Sequence, residues 1–298
     1  MNEMTLSVVV PAHNEGDNLP PTIAELQQAL RSARIPYEII IVNDCSTDRT
    51  GEVIAEMMQA DACIRTIDRS PPGGFGRAVR TGLSLVTGDI VVLFMADKSD
   101  DPADAVRYYR KIGEGYDCVF GSRFRKGSTV QNYPGVKLVA NRIVNRCIQA
   151  MFFCGFNDLT NAFKAYRAEV IRDCGPFRAS HFNITIEMSL SALIRRYNIA
   201  EIPISWYGRT WGSSKLRLTE MGRRYLATLL KVYADKLLIA DDLIAERLAG
   251  RPASQNDRAE LSARIHELED RLGQLEGGTK AASHGGGAQS EGRSGGSI

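Results

Sequence analysis

Three carboxylates follow a buried strand in the middle of the chain and could hold a divalent cation. The run Ile90–Phe94 is continuously apolar, as in a strand that is covered on both faces of a parallel sheet. Asp97 follows this run closely, and Asp100 and Asp101 come just before Pro102. Carboxylates at the carboxyl end of such a strand can bind a hard cation together with a phosphorylated ligand. We expect this role for Asp97, whereas Asp100 and Asp101 are interpreted as a solvated loop in which Asp101 caps a helix.

Polar loops follow the other predicted strands and are expected to meet Asp97 at one edge of the sheet. These loops are Ala12–Glu15, Asn43–Asp48, Arg69–Gly76 and Met95–Asp101. Gly73–Gly76 fits neither the phosphate-binding P-loop nor the dinucleotide pattern. A diphosphate would therefore be held by a cation and by basic side chains, for which the candidates are Arg123, Arg125, Lys126, Arg209 and Lys215. Arg209 and Lys215 are favoured, because glycines and serines surround them and give a segment able to close over a ligand.

Strands alternate with helices along most of the chain, and this order predicts how the loops are positioned. Predicted strands cover 6–10, 38–42, 63–67, 90–94 and 117–121, with helices between them. Such alternation is typical of βαβ units and of a mostly parallel sheet flanked by helices. A further strand over Ile199–Ile204 is expected at a sheet edge, because Pro203 cannot donate to a hydrogen-bond ladder. We therefore predict an α/β fold, followed by a C-terminal helical extension.

The C-terminal part of the chain carries helical patterns. We predict a main domain over 1–218, a long amphipathic helix over 219–250, a short coiled-coil-like helix over 258–276 and a disordered tail over 277–298. Apolar residues of the third segment follow heptad spacing, which favours a homodimer through the C-terminal helices. The tail is rich in glycine and serine and has little apolar content.

Composition argues against several classes of protein. The net charge is +2 and the pI is near 8.2, so there is no electrostatic case for nucleic acid as a partner. The six cysteines form no C-x-x-C pair, which argues against zinc and indicates a reducing compartment. Neither a signal peptide nor an uncharged stretch of ~18 residues is evident. The expected location is the cytoplasm, with peripheral attachment to the cytoplasmic face of the membrane left open.

Several of these stretches together resemble the family-2 glycosyltransferases with the GT-A fold. Val8–Glu15 and Val42–Asp48 resemble the opening of that family, and the Asp97 stretch matches its D-x-D motif. Three later motifs are similar to those of the dolichyl-phosphate and polyprenyl-phosphate sugar synthases, namely Gly121–Phe124, Asp158–Phe163 and Arg209–Leu216. The resemblance implies a hexosyltransferase of the dolichyl-phosphate mannosyltransferase type.

The resemblance also implies roles for the matching residues. On the donor side, the nucleotide-diphosphate sugar would be bound by Pro11, His13, Glu15, Asp44, Ala96, Asp97, Arg209 and Lys215. Asp97 would ligate Mg²⁺ or Mn²⁺, and Arg209 and Lys215 would clamp the diphosphate. The acceptor phosphate would be bound by Arg123, Asn141, Asn145 and Ser214. Glu187 falls near an acidic position of the family and is a catalytic candidate beside Asp97 and Arg209.

Two departures from the family pattern leave alternatives open. Met95 stands where the first Asp of D-x-D is expected, and a thioether is a poor ligand for a hard cation. Either Asp97 works with substrate oxygens and water, or Asp100 compensates, or the site is inactive. Asn141 and Asn145 stand where many members have an Arg and a Ser, so an acceptor other than a plain polyprenyl phosphate stays open.

The expected activity is inverting transfer of a sugar to a polyprenyl phosphate. An acceptor phosphate is already anionic, whereas an acceptor hydroxyl would need a base such as Glu187 or Asp100. A soluble or polysaccharide acceptor is one alternative, and a weakly active nucleotide-sugar-binding scaffold is another. The sequence leaves the sugar and the base undecided, since GDP-mannose and UDP-sugars both fit. It also leaves undecided whether helix 219–250 lies on a membrane or packs on protein.

Overall fold

A seven-stranded sheet flanked by helices forms the centre of the molecule. The computed structural model describes residues 4–208 and 218–238, with the side chains of the second range described from 222 to 237. The strands of the large sheet are β1 (Leu6–Ala12), β2 (Tyr37–Asp44), β3 (Ile64–Arg69), β4 (Ile90–Leu93), β5 (Cys118–Ser122), β7 (Lys164–Arg167) and β8 (Ile199–Pro203), and a second sheet pairs β6 (Thr129–Gln131) with β9 (Ser205–Tyr207). The helices are α1 (Leu19–Ser32), α2 (Thr50–Ala60), α3 (Phe75–Leu83), α4 (Pro102–Gly113), α5 (Gly135–Phe152), α6 (Ala168–Cys174), α7 (Ile184–Ile194) and α8 (Leu218–Leu238).

The strand order β3-β2-β1-β4-β7-β5-β8 confirms the mostly parallel sheet. Only β7 runs antiparallel to its neighbours within the described sheet. Strand β8 lies at the edge, as Pro203 predicts. The carboxyl ends of β1, β2, β3 and β4 therefore meet at one edge, where the predicted polar loops begin.

Strand β1 is buried along its whole length because helices cover both faces of the sheet. Val8 and Val10 pack into the core on the side of α1 and α4, whereas Val9 packs into the core on the other side. The approach of α3 to β1 is so close that a Cβ at Gly82 would lie 2.4 Å from a methyl of Val9. This close packing fixes the strand ends and hence the loops that leave them.

Several short elements were not predicted from the sequence. Strand β7 has four residues, and α6 follows it directly. Strands β6 and β9 have three residues each and pair with one another, so local patterns do not reveal them. Tyr207 consequently belongs to a strand.

Helix α8 agrees with the predicted long helix as far as Leu238. Segment 209–217, the rest of 219–250, and the predicted coiled-coil-like helix and tail lie outside the described residues. The predicted homodimer therefore stays a prediction. Among the described helices, none combines the length and apolar character needed to cross a bilayer.

Candidate active site

The loops after β1 and β2 are joined by hydrogen bonds. The backbone N–H of Asn14 donates to Ser46 Oγ at 3.0 Å, and Asn14 Oδ1 accepts from the backbone N–H of Thr47 at 2.8 Å. Nδ1 of His13 donates to the carbonyl oxygen of Asp44 at 2.7 Å. These contacts confirm that the two predicted polar loops share one edge of the sheet.

Asp44 joins the loop after β3 to the same edge. Its carboxylate is buried, accepts the backbone N–H of Gly74 at 2.7 Å and pairs with the guanidinium of Arg69. Register explains the ion pair, since Asp44 and Arg69 lie opposite each other on β2 and β3. Neither contact was predicted from the sequence, and the contact of Asp44 with a nucleoside stays a prediction.

The remaining donor-side candidates differ in exposure. Pro11, Glu15 and Ala96 are buried, and Glu15 accepts from Asn18 Nδ2 at 2.7 Å. His13 is exposed. Of these four residues, His13 alone therefore has an exposed side chain, and the donor-binding roles of all four stay predictions.

The three loops after β1, β2 and β4 each contain a non-glycine residue in the left-handed region. These residues are Asn14 (φ 56°), Cys45 (φ 57°) and Lys98 (φ 61°). Such a conformation costs on the order of 1 kcal/mol or more for residues other than glycine, and it clusters at ligand-binding sites. Four residues elsewhere in the described chain share this conformation, so here it marks the sharp turns of the three loops.

The Asp97 loop turns sharply at the end of β4. Asp97 is partly exposed, and its Oδ1 accepts the backbone N–H of Ser99 at 3.2 Å. Asp101 accepts the backbone N–H of Ala103 at 2.9 Å, which confirms the predicted cap of α4. The prediction of a solvated Asp100 is wrong, because that residue is 4% exposed.

Asp100 is buried because β9 folds over the loop. It forms a backbone bridge with Trp206, and its Oδ2 accepts the backbone N–H of Met95 at 3.0 Å. Burial, with the nearby charge of Asp97 adding to it, raises the pKa of Asp100 to about 8. A protonated carboxyl therefore lies next to Asp97 at neutral pH in the metal-free protein.

The raised pKa makes stability depend on pH. The folded protein keeps the Asp100 proton up to about pH 8, whereas the unfolded chain releases it near pH ~4. Stability should therefore fall as the pH rises through this window. Asp100→Asn retains an oxygen for the Met95 N–H and does not titrate. We expect it to match the wild type near pH ~4 and to be more stable by about 2 kcal/mol or more at pH ~8.

Urea unfolding in EDTA across this pH range measures the effect. Asp101→Asn is the matched control and should show no gain that grows with pH. A difference between Asp100→Asn and the wild type that is constant with pH would contradict the buried, titrating carboxyl.

The donor set at Asp97 fits a cation that is shared with a ligand. The described residues contain no group of three His, Cys, Asp or Glu side chains that could hold a metal ion. Mg²⁺ is commonly bound by one or two carboxylates together with phosphate oxygens and water. Asp97, partly exposed at the strand end, suits such a site. Met95 does not add a ligand, and one oxygen of Asp100 is already occupied by a backbone N–H.

Arg123 is held in an ion pair and an aromatic cage. Its Nε and Nη2 each donate to Asp158 at 2.8 Å, and both side chains are almost fully buried. The rings of Phe124, Tyr133 and Trp206 lie 5.3–5.9 Å from the guanidinium. Burial lowers the pKa of Arg123, but the Asp158 carboxylate outweighs this effect and raises it. The structure thus gives Arg123 a carboxylate partner, and its contact with an acceptor phosphate stays a prediction.

Asn141 and Asn145 lie beside this pair. Nδ2 of Asn141 donates to Thr160 Oγ1 at 2.9 Å and to the Tyr133 hydroxyl at 3.2 Å. Asn145 Oδ1 accepts the backbone N–H of Leu159 at 2.7 Å. Thr160 in turn donates to Asp158 at 3.3 Å. Three of the four predicted acceptor-side residues therefore form one cluster, and the fourth, Ser214, lies outside the described residues.

Arg142, which follows Asn141 on α5, adds a basic side chain to this cluster. Its guanidinium lies 4.7 Å from the centroid of the Phe124 ring. No carboxylate of the described chain forms an ion pair with it. The charge of Arg142 is therefore more available to a ligand than the charge of Arg123, which is paired with Asp158.

Glu187 is buried, and its carboxylate connects three segments of the chain through hydrogen bonds. Its carboxylate accepts the backbone N–H of Arg178 at 3.0 Å and of Ala179 at 2.7 Å, and Lys231 Nζ donates to it at 2.6 Å. These bonds tie α7 to the preceding segment and to α8. They also border a cavity of about 330 Å³ that is lined in part by His181. The catalytic role of Glu187 stays a prediction.

The strand-end loops and the Arg123 cluster are linked through Asp100 and Trp206. The charges of Asp97 and Arg123 both act on Asp100, so the three side chains lie near one another. Trp206 pairs with Asp100 through the backbone and faces Arg123 with its ring. The predicted clamp residues Arg209 and Lys215 lie outside the described residues, but Arg209 directly follows Gly208, whose N–H donates to Gln131 at 2.9 Å.

The chain is similar in sequence to known proteins. The family model described as glycosyl transferase family 2 matches residues 7–175. A polyprenol monophosphomannose synthase from Mycolicibacterium smegmatis is 29% identical over 215 residues, which cover 70% of this chain and 80% of that protein. A dolichol-phosphate mannosyltransferase from Pyrococcus furiosus is 29% identical over 217 residues, which cover 72% of this chain and 60% of that protein.

Solved structures share the fold. Glucosyl-3-phosphoglycerate synthase from Mycobacterium tuberculosis in complex with uridine diphosphate has a TM-score of 0.59 at 22% identity, covering 78% of this chain and 80% of that one. A structure of the same enzyme with Mn²⁺, UDP-glucose and phosphoglyceric acid has a TM-score of 0.59 at 21% identity, with the same coverage. The α/β architecture is therefore GT-A-like. Since the family model matches more than half of the sequence, the chain belongs to glycosyl transferase family 2 and is a glycosyltransferase.

Proposed function

We propose that this glycosyltransferase moves a sugar from a nucleotide-diphosphate sugar to a polyprenyl phosphate, with inversion at the anomeric carbon. The observation that carries the proposal is that Trp206 links the two groups: its backbone pairs with Asp100 in the loop of the cation-suited carboxylate Asp97, and its ring lies against Arg123. A donor diphosphate and an acceptor phosphate could then lie side by side. The names of the two sequence relatives support the same acceptor class.

On the donor side, Asp97 would hold Mg²⁺ or Mn²⁺ against the diphosphate. A divalent cation, when bound, offsets the negative charge that grows on the leaving nucleoside diphosphate. His13, exposed at the end of β1, would contact the nucleoside beside Asp44. Arg209 and Lys215 would add positive charge to the leaving group.

On the acceptor side, the phosphate would bind where Asn141 and the Tyr133 hydroxyl meet. Arg142, stacked on Phe124, would supply the positive charge. Arg123 and Asp158 would keep these groups in place without contributing net charge. This arrangement differs from the sequence-based expectation, in which Arg123 itself binds the phosphate.

An acceptor phosphate also agrees with the hydrogen bonding of the Glu187 carboxylate. A phosphate oxygen is already anionic and needs no base to attack the anomeric carbon. An acceptor hydroxyl would need one, and three donors already occupy the Glu187 carboxylate. Glu187 would then fix the segment that packs on α3, and not accept a proton.

A soluble phosphorylated acceptor is the second candidate. The cavity beside Glu187 is lined by the basic side chains of Arg178, Arg224 and Lys231. It would suit a small anionic molecule, and the structural neighbour from Mycobacterium tuberculosis is named for a phosphoglycerate acceptor. This candidate predicts a water-soluble product.

Radiolabelled GDP-mannose and UDP-glucose, offered to the full chain with Mn²⁺, test the proposal. We expect product in the organic phase when a polyprenyl phosphate is the acceptor. Product that appears only in the aqueous phase, with a small phosphorylated acceptor, would contradict the proposal and support the second candidate.

Replacing Arg142 tests the acceptor side separately. Arg142→Ala removes the charge that faces the acceptor phosphate, so KM for the acceptor should rise by about tenfold or more. KM for the donor should stay the same. Arg172→Ala, an exposed arginine on α6, is the control and should change neither. A rise in donor KM, or no change in acceptor KM, would remove Arg142 from the acceptor site.

A further inference from the structure

Exposed apolar side chains are concentrated on two helices. Of the eight large hydrophobic residues that are exposed in the described part of the chain, seven lie on α5, on its C-terminal cap Phe153 or on α8. The eighth, Met58, lies on α2. Single exposed hydrophobic residues are normal, but such a concentration marks an interaction surface.

Helix α5 exposes a row of apolar side chains. Apart from Gly135 at its first position, its exposed residues recur mostly at intervals of three and four and are apolar except for one arginine: Val136, Val139, Ile143, Arg146, Cys147 and Ala150. Its inner side carries Asn145 into the acceptor cluster described above and buries Ile148 and Phe152. Helix α5 is therefore apolar on both sides, whereas the exposed face of the usual surface helix is polar.

Helix α8 has the same arrangement. Among its described side chains, the exposed ones after Gly222 are again apolar with one arginine, in the order Arg223, Leu226, Ala227, Leu230, Ala234 and Leu237. Thr228, Leu229 and Val232 are buried against the rest of the domain. The two helices are in contact, since the rings of Phe152 and Tyr233 lie 6.0 Å apart. We call the two exposed rows together the apolar face.

The charges on these helices identify the partner. Helix α5 carries Lys137, Arg142 and Arg146 and has no acidic residue. Among the described side chains of α8, four are basic and Asp235 alone is acidic. The whole chain has a net charge of only +2. Apolar rows flanked by lysine and arginine are typical of helices that lie in the interface of a membrane with anionic lipids.

We infer that the apolar face of α5 and α8 docks on an anionic lipid surface. No described helix can span a bilayer. We therefore expect α5 and α8 to lie on the surface of the membrane. A second copy of the chain fits less well, because face-to-face pairing would bring Arg146 and Arg223 against like charges. The inference rests on the proposed function. Because Asn141 lies on α5, docking would bring the acceptor cluster close to a lipid phosphate in the membrane.

Vesicle sedimentation with the full chain tests the inference. The vesicles contain phosphatidylcholine, alone or with phosphatidylglycerol, and no polyprenyl phosphate. The wild type should bind the anionic vesicles and be released by salt. Val139→Asp with Ile143→Asp on α5, and Leu230→Asp on α8, should each lower partitioning by about tenfold or more. Met58→Asp, which places the same change on α2, should bind as the wild type does.

The outcomes separate the inference from the proposed function. Equal binding of the apolar-face variants and of Met58→Asp, or the same binding to neutral vesicles, would overturn the inference. So would a change in sedimentation velocity showing that the variants break a dimer. Because the vesicles lack acceptor, binding that persists while sugar transfer to a polyprenyl phosphate fails would refute the proposed function alone.

Discussion

Asp97→Ala should lower kcat for sugar transfer by about 10³-fold while the protein stays folded. Asp97 is the partly exposed carboxylate at the end of β4, and Asp100 cannot replace it, because that side chain is buried and binds a backbone N–H. Without Asp97, the charge that develops on the leaving diphosphate loses its cation. Steady-state kinetics with saturating donor and acceptor measures the loss.

Asp101→Ala is the matched control for this prediction. It removes another carboxylate of the same loop. The Asp101 carboxylate accepts the hydrogen bond that caps the N-terminus of α4. Its loss should cost about 0.5–2 kcal/mol of stability and leave kcat within a few-fold of the wild type. If Asp97→Ala retains activity similar to that of Asp101→Ala, the cation does not depend on Asp97.

Asp158→Ala should destabilise the protein by about 3–5 kcal/mol. The Asp158 side chain is fully buried and makes both of the short bonds that neutralise Arg123. The variant would leave a guanidinium buried between aromatic rings without a counter-charge. Urea unfolding at neutral pH measures the loss.

An exposed ion pair provides the comparison for Asp158. Asp17 pairs with Arg49 at 2.9 Å, but the Asp17 side chain is 90% exposed. Asp17→Ala should therefore cost less than about 1 kcal/mol. A loss of similar size in Asp158→Ala would mean that Arg123 reaches water or finds another partner when the carboxylate is removed.

The meeting of the strand-end loops, which we propose as the donor side, could be predicted from the sequence because it follows from topology. Apolar runs locate the strands, parallel strands bring their carboxyl ends together, and the polar loops after β1, β2 and β4 must then be neighbours. The hydrogen bonds from Asn14 to Ser46 and Thr47 show that the loops after β1 and β2 are neighbours in the structure. This reasoning does not predict the burial of Asp100, because that burial depends on β9, which folds over it from far along the chain.

The acceptor side could be predicted only in part. The four-residue spacing of Asn141 and Asn145 places both on one face of α5, and the structure has them in contact. Their link to Arg123 through Thr160 and Asp158 depends on loops whose packing has no local sequence signal. The aromatic cage needs β6 and β9, which are too short to be recognised from a pattern.

We propose that Asp97 holds the donor diphosphate through a shared divalent cation. Calorimetric titration of UDP and GDP into the full chain, with Mn²⁺ or with EDTA, tests this role most directly and needs no acceptor. We expect one nucleotide to bind the wild type and Asp101→Ala more tightly with Mn²⁺ than with EDTA, by about tenfold or more, and we expect Asp97→Ala to lose this dependence. Nucleotide binding to Asp97→Ala that still tightens with Mn²⁺ as in the wild type would contradict it.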